Sequence, residues 1–218
     1  MNRELINRIL TSLVLAPVLI YSSYYSGLYF IGFLSLIYFF SFYEIVKNTK
    51  KIFFIIVSNA IIIFALFAFH QLRGDTNYSL TIMYWVLAST FLSDIGGYVF
   101  GRVFKGKKLT KISPNKTYSG AIGSIIFSVL SMPVLNLFQQ ILYNKSMINF
   151  FQLKYLLLTI LISIICQSGD LYVSFWKRKI KIKNVSNILP GHGGVLDRID
   201  GLIFVLIFSY AVNKVGLI

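Results

Sequence analysis

Residues 52–69 read IFFIIVSNAIIIFALFAF, a stretch with no charge and only Ser58 and Asn59 polar. A helix needs roughly 17–25 mainly apolar residues to cross the hydrocarbon core of a bilayer, so this segment predicts a transmembrane helix. Working outward, six more apolar runs stand at about 9–26, 28–46, 78–100, 119–142, 153–176 and 201–217. Leu10 to Ile45 is almost uninterrupted, and Ser22 to Gly27 is the natural place for it to turn. The N-terminal run is too long for a signal peptide and lacks a small-residue cleavage site, so it is expected to be a span. The predicted fold is an all-α polytopic integral membrane protein with about seven transmembrane helices, one domain over residues 1–218.

Composition agrees. Of the 218 residues, 56% are hydrophobic and 13% charged, and the mean hydropathy is +0.74. Soluble chains carry about 45–50% and about 25%. Disorder is excluded, because it needs low hydrophobicity and high charge. A disulfide framework is excluded too, since Cys166 is alone in an apolar run. Lys and Arg number 21 against 7 Asp and Glu, a formal net of +14. In a soluble protein that excess would suggest nucleic acid. Here the basic residues lie in short loops between apolar runs, and no nucleic-acid partner is expected. With seven spans, the N-terminus and the loops near 47–51, 101–118 and 177–200 share one side, which holds 17 of the 21. Arg73, Lys145, Lys154 and Lys214 fall on the other. Positive charge marks the cytoplasmic side, so the N-terminus is expected in the cytoplasm and the C-terminus outside.

The seven acids locate the chemistry. Glu4, Glu44 and Asp75 lie near span ends or in loops and are expected to meet water or headgroups. Asp94 and Asp170 fall inside apolar spans, both in the half nearer the cytoplasm. Asp197 and Asp200 stand just before the last span on that same side. Ionisable residues at such depth face a cavity, a partner or a ligand. Four at one depth point to a site at the cytoplasmic mouth rather than to four separate helix staples. Asp94, Gly97, Tyr98 and Gly101 share a helix face, as do Asp170, Ser174, Lys177 and Arg178. Gly97 and Gly101 are also a small-xxx-small pair that permits close helix packing.

Two loops look suited to phosphate. Residues 101–117 read GRVFKGKKLTKISPNKT, with six basic residues, two glycines and three hydroxyls. Such residues donate charge-assisted hydrogen bonds to polyphosphate, although the charge alone fits attraction to anionic lipid equally well. Residues 177–200 read KRKIKIKNVSNILPGHGGVLDRID. The glycine-rich turn at residues 190–194 lets backbone N–H groups approach an anion. Asp197, Arg198 and Asp200 then put hard oxygen ligands beside a cation, and carboxylates plus substrate phosphates are the usual way to hold Mg2+. His192, flanked by glycines, is a candidate ligand contact. The residues therefore describe a membrane enzyme handling a phosphorylated cytosolic substrate with a divalent metal.

The same residues resemble the phosphatidate cytidylyltransferases. That family's signature stands here as Gly169-Asp170-Leu171, Ser174, Lys177-Arg178, Lys183-Asn184, Pro190-Gly191-His192-Gly193-Gly194 and Asp197-Arg198-Ile199-Asp200. A second stretch stands as Asp94, Tyr98, Gly101 and Ser113-Pro114-Asn115-Lys116-Thr117. The match covers about 94–201. Three positions depart from the family pattern, with Val173 and Asn184 where acids are usual and Ser119 where Glu or Gln is common.

The resemblance implies transfer of CMP from CTP to phosphatidate, giving CDP-diacylglycerol and pyrophosphate for phospholipid synthesis. It implies that Asp170 and Asp197 ligate Mg2+, with Asp94 and Asp200 in or beside the coordination sphere and a second, monovalent or divalent, cation as a further expectation. It implies catalytic roles for Lys177, Arg178 and Arg198. Ser113, Lys116, Thr117 and Ser174 would contact phosphates, and His192, Gly193 and Gly194 would shape the loop around the nucleotide. A homodimer in the bacterial inner membrane is also expected on this ground. The alternatives are a CTP-dependent polyprenol or dolichol kinase, which would release CDP, and an inactive structural relative, which the three substituted positions fit. A transporter would need polar residues through several spans, and the runs at 28–46 and 52–69 are nearly all apolar.

Overall fold

Hydrocarbon offers backbone N–H and C=O groups no water, so apolar runs of this length satisfy them internally as helices. The computed structural model describes residues 3–110, 113–182, 184–186, 188–191 and 193–218, with backbone alone for 3–10 and 12. The expectations placed on Lys111, Lys183 and His192 lie outside the described residues. Among the described residues the helices are, in chain order, α1 (Arg3–Tyr25), α2 (Gly27–Asn48), α3 (Ile52–Arg73), α4 (Asn77–Val103), α5 (Tyr118–Val129), α6 (Ser131–Tyr143), α7 (Leu153–Lys179) and α8 (Leu196–Lys214). Among the described residues there is no strand, only the isolated bridges Lys108–Thr117 and Leu189–Gly193.

Among the described residues, five segments are long and apolar enough to cross a membrane: α2, α3, α4, α7 and the consecutive α5 and α6 over Tyr118–Tyr143. The other two expected spans coincide with α1, apolar over the shorter Leu13–Tyr25, and α8. Two boundaries differ from the sequence reading. The run at 119–142 is broken at Leu130, three residues ahead of Pro133, which has no N–H to bond back into the preceding turn. The last helix begins at Leu196 rather than near residue 201, so Asp197 and Asp200 lie on α8 and not before it. The turn between α1 and α2 falls at Ser26 and Gly27, both with positive φ.

Glycine decides the closest approach. α4 lies against α5 through Gly96, Gly97 and Gly101. A Cβ on Gly97 would meet Ser124 Oγ at 2.6 Å, and one on Gly120 would meet the Gly97 carbonyl at 2.8 Å. Polar pairs tie α4 to its other neighbours. Ser93 Oγ and Ser163 Oγ are 2.8 Å apart, as are Ser89 Oγ and Ser131 Oγ. Trp85, fully buried, donates its indole N–H to Thr159 Oγ1 at 3.1 Å and packs on Phe150 and Tyr155.

At the far end of the bundle, Arg73 is buried at the C-terminus of α3. It donates to the carbonyls of Ser23 (2.6 Å) and Tyr24 (3.0 Å) in the last turn of α1, and to Gly74. These carbonyls have no intrahelical partner, so one guanidinium closes two helix ends.

Two outcomes are expected in detergent unfolding. Gly96→Ala forces α4 off α5 and lowers stability by about 1–3 kcal/mol. Arg73→Met strands the Ser23 and Tyr24 carbonyls and costs about 1.5–3 kcal/mol.

Candidate active site

The C-terminal ends of α4 and α7 and the N-terminal ends of α5 and α8 gather at one end of the bundle. Asp94 lies nine residues before the end of α4 and Asp170 nine before the end of α7. At about 1.5 Å per residue both acids sit at matching depth. There α4, α5 and α7 enclose a cleft of about 260 Å³, lined by Asp94, Gly97, Tyr98, Lys116, Thr117 and Asp170 among others.

The loop after α4 supplies the base of this cleft. Lys107 and Leu109 pair by backbone with Tyr118 and Lys116: Leu109 N donates to the Lys116 carbonyl at 2.7 Å, Tyr118 N to the Lys107 carbonyl at 3.1 Å. Lys105 and Gly106 make the turn with positive φ. Ser119 donates its hydroxyl to the Lys105 carbonyl. Thr117 caps α5 by accepting Gly120 N at 3.1 Å. This fold directs Lys116 inward, where its Nζ is 3.1 Å from Asp170 Oδ2 and 3.3 Å from the Gln167 carbonyl. Ser113 lines the cleft beside it.

The acids converge on this lysine. Ligand atoms of Asp94, Cys166 and Asp170 all lie within 4.8 Å of one another. The Cys166 thiol donates to Asp94 Oδ1 at 3.5 Å. Asp200 contacts Asp170 side chain to side chain. Two carboxylates in contact require a proton or a cation between them, and the set Asp94, Asp170 and Asp200 offers hard oxygens. That chemistry fits Mg2+ or a similar ion. The thiol, a soft donor, is engaged as a hydrogen-bond donor instead. Gly201 leaves the room for this meeting, since a Cβ there would fall 2.5 Å from Asp170 Oδ1 and 2.7 Å from Cys166 Sγ.

A second cation joins from α7. Lys177 is buried, with Nζ 2.9 Å from Asp197 Oδ1 and 3.5 Å from Asp200 Oδ2. Both oxygens of Asp197 are engaged by protein groups. Its Oδ1 holds Lys177, and its Oδ2 accepts Val185 N and Gly194 N, each at 3.0 Å. Asp197 is thus linked to Asp170 through Lys177 and Asp200 rather than standing in the Asp94, Cys166 and Asp170 group.

The remaining expected residues divide. Ser174 is half-buried on α7 between Asp170 and Lys177. Arg178 is exposed and donates to the Ile182 carbonyl at 3.0 Å. Arg198 is exposed on the first turn of α8, in electrostatic range of Asp94. Gly193 (φ +87) closes a turn with Leu189 through two reciprocal backbone bonds of 2.9 and 3.0 Å.

Two participants went unread in the sequence. Cys166 was legible in principle, lying one helical turn before Asp170 on the same face. Glu44 was not. Expected to meet water or a headgroup, it is fully buried instead. Its carboxylate accepts Val195 N at 2.8 Å, Leu196 N at 2.9 Å and the Ser186 hydroxyl at 2.5 Å. Partners more than 140 residues away leave no mark near residue 44.

Comparison with known proteins places these residues in a family. A model described as "Cytidylyltransferase family" matches residues 46–215, most of the chain and both halves of the cleft. The phosphatidate cytidylyltransferase of Bacillus subtilis (strain 168) is 35% identical over 170 residues, covering 76% of this chain and 61% of that protein. The phosphatidate cytidylyltransferase of Staphylococcus haemolyticus is 41% identical over 139 residues, 63% of this chain and 50% of that one. That of Helicobacter pylori (strain J99) is 36% identical over 142 residues, 65% and 48%. The chain spans about half to three-fifths of the length of these relatives. With its helical membrane architecture and its acids and lysines lying inside the matched stretch, the chain belongs to the cytidylyltransferase family.

Proposed function

We propose that the protein transfers CMP from CTP to phosphatidate, releasing pyrophosphate and forming CDP-diacylglycerol at the cytoplasmic face of a bacterial inner membrane, its N-terminus in the cytoplasm. The observation that carries this reading is the interlock of Asp94, Asp170 and Asp200 with Lys116 and Lys177 at one end of a helical bundle. The relatives' names supply the chemistry that such a cluster would serve.

In this reaction a phosphatidate phosphate oxygen bonds to the α-phosphorus of CTP, and the bond from that phosphorus to the β-bridging oxygen breaks. The nucleophile is already an anion, so no strong general base is required. The barrier is electrostatic, because two anions must meet and a third must leave. Positioning and charge neutralisation are the expected means.

Asp170, with Asp94, Asp200 and Asp197, would hold Mg2+. When bound, that ion would neutralise phosphate charge and stabilise the departing pyrophosphate. Lys116 and Lys177 balance the acids, and the same ammonium groups would take phosphate oxygens when substrate binds. Arg198 and Arg178 add charge at the rim. Ser113, Thr117 and Ser174 would donate hydroxyls to the phosphates. Gly193 and Gly194, with His192, would shape the neighbouring loop. The lipid phosphate would come sideways from the inner leaflet, its tails remaining in hydrocarbon.

Purified protein given labelled CTP, phosphatidate and Mg2+ should yield liponucleotide and pyrophosphate in equal amounts, and none after chelation. CDP with a phosphorylated lipid would identify a kinase instead. Asp170→Asn should lower turnover by more than about 100-fold with the helical fold, followed by circular dichroism, retained. Undiminished turnover would remove Asp170 from the site.

A further inference from the structure

α8 begins without a cap of its own. Val195, at its N-cap position, offers no side-chain acceptor, and no side-chain hydrogen bond from that residue closes the helix. The first N–H groups of a helix must find partners when buried, and Val195 and Leu196 are both buried. The acceptor comes from another helix. Glu44, on the last turns of α2, takes Val195 N on Oε1 (2.8 Å) and Leu196 N on Oε2 (2.9 Å). A carboxylate at a helix N-terminus is favoured by the helix dipole as well as by the hydrogen bonds.

Other contacts make this a clamp rather than a single bond. Ser186 donates its hydroxyl to Glu44 Oε1. Asn48, one turn along α2, donates to the Val185 carbonyl at 2.7 Å. Gly194 is seated against the carboxylate, and a Cβ there would lie 2.7 Å from Oε1 and 2.9 Å from Oε2. Residues 185, 186 and 194–196 are thus gripped from α2 by Glu44 and Asn48. They are gripped from within by Asp197, which accepts Val185 N and Gly194 N. Asp197 lies one residue beyond the capped Leu196, and Asp200 three residues further. The height and rotation of the first turn of α8 decide whether these acids reach Lys177 and Asp170.

We propose that Glu44 is a positioning residue of the active site. It caps α8 from α2 and so sets Asp197 and Asp200 against Lys177 and Asp170. Its effect on turnover rests on the reading of function given above. Its effect on the helix start does not.

The test compares wild type, Glu44→Gln and Ser186→Ala in detergent by hydrogen exchange and by steady-state kinetics with CTP, phosphatidate and Mg2+. Glu44→Gln keeps the shape but loses the charge and one acceptor. It should speed amide exchange within residues 185–200 while leaving α3 and α4 protected as in wild type. It should lower kcat by on the order of 10- to 100-fold, as loss of an orienting partner does, with the KM for CTP changed much less. Ser186→Ala, which leaves both capping bonds, should do little to either. Unchanged exchange over residues 185–200 would overturn the cap. Faster exchange with wild-type kcat would reduce Glu44 to a structural residue and overturn the positioning role. The exchange arm needs no substrate, so an inactive wild-type protein would defeat the proposed reaction without deciding the cap.

Discussion

A carboxylate carried into a helical membrane bundle must be paired, and that constraint organises this protein. Five of its acids sit within or against the bundle at one end, and each is bound to a specific partner from another helix or loop, Asp94 on α4 to the Cys166 thiol on α7. Asp170 on α7 meets Lys116 from the loop before α5. Asp197 and Asp200 on α8 meet Lys177 on α7. Glu44 on α2 meets the backbone at the start of α8. Because removing one member of such a pair leaves the other buried and uncompensated, the pairs fix the relative height of these helices as well as gathering charge.

The scaffold permits this through small residues. Gly96, Gly97, Gly120 and Gly123 bring α4 and α5 to backbone contact. That approach places the N-terminus of α5, with Lys116 just before it, beside Asp94. Gly201 does the same for α8 and α7, where Asp170 and Cys166 press against its Cα. Both contacts lie where the acids lie. Packing and charge placement are therefore one arrangement.

The parts legible in the sequence are those governed by local physics. Hydrocarbon thickness makes residues 52–69 a span on inspection, and Asp94 and Asp170 stand out because an ionisable residue inside an apolar run is costly. The start of α8 at Leu196 is not legible locally, because Asp197, Arg198 and Asp200 look like loop residues until the cap from α2 is known. The split of α5 from α6 leaves one local mark, Pro133, inside a run otherwise apolar enough to read as a single span. Glu44, between Tyr43 and Ile45 near a span end, has a local pattern that suits a solvated acid equally well. Pairing partners are likewise invisible when they are 54 residues apart, as Lys116 and Asp170 are. The motif around Lys116 points to a phosphate contact and carries no sign of the acid it holds.

Binding of Mn2+ in place of Mg2+, followed by electron paramagnetic resonance with and without CTP, addresses the central claim most directly. The account predicts one tight site per chain in the wild type, phosphorus coupling to the ion when CTP is added, and loss of both in a variant lacking the Asp170 carboxylate. Mn2+ binding with the same affinity and the same phosphorus coupling in that variant would contradict it.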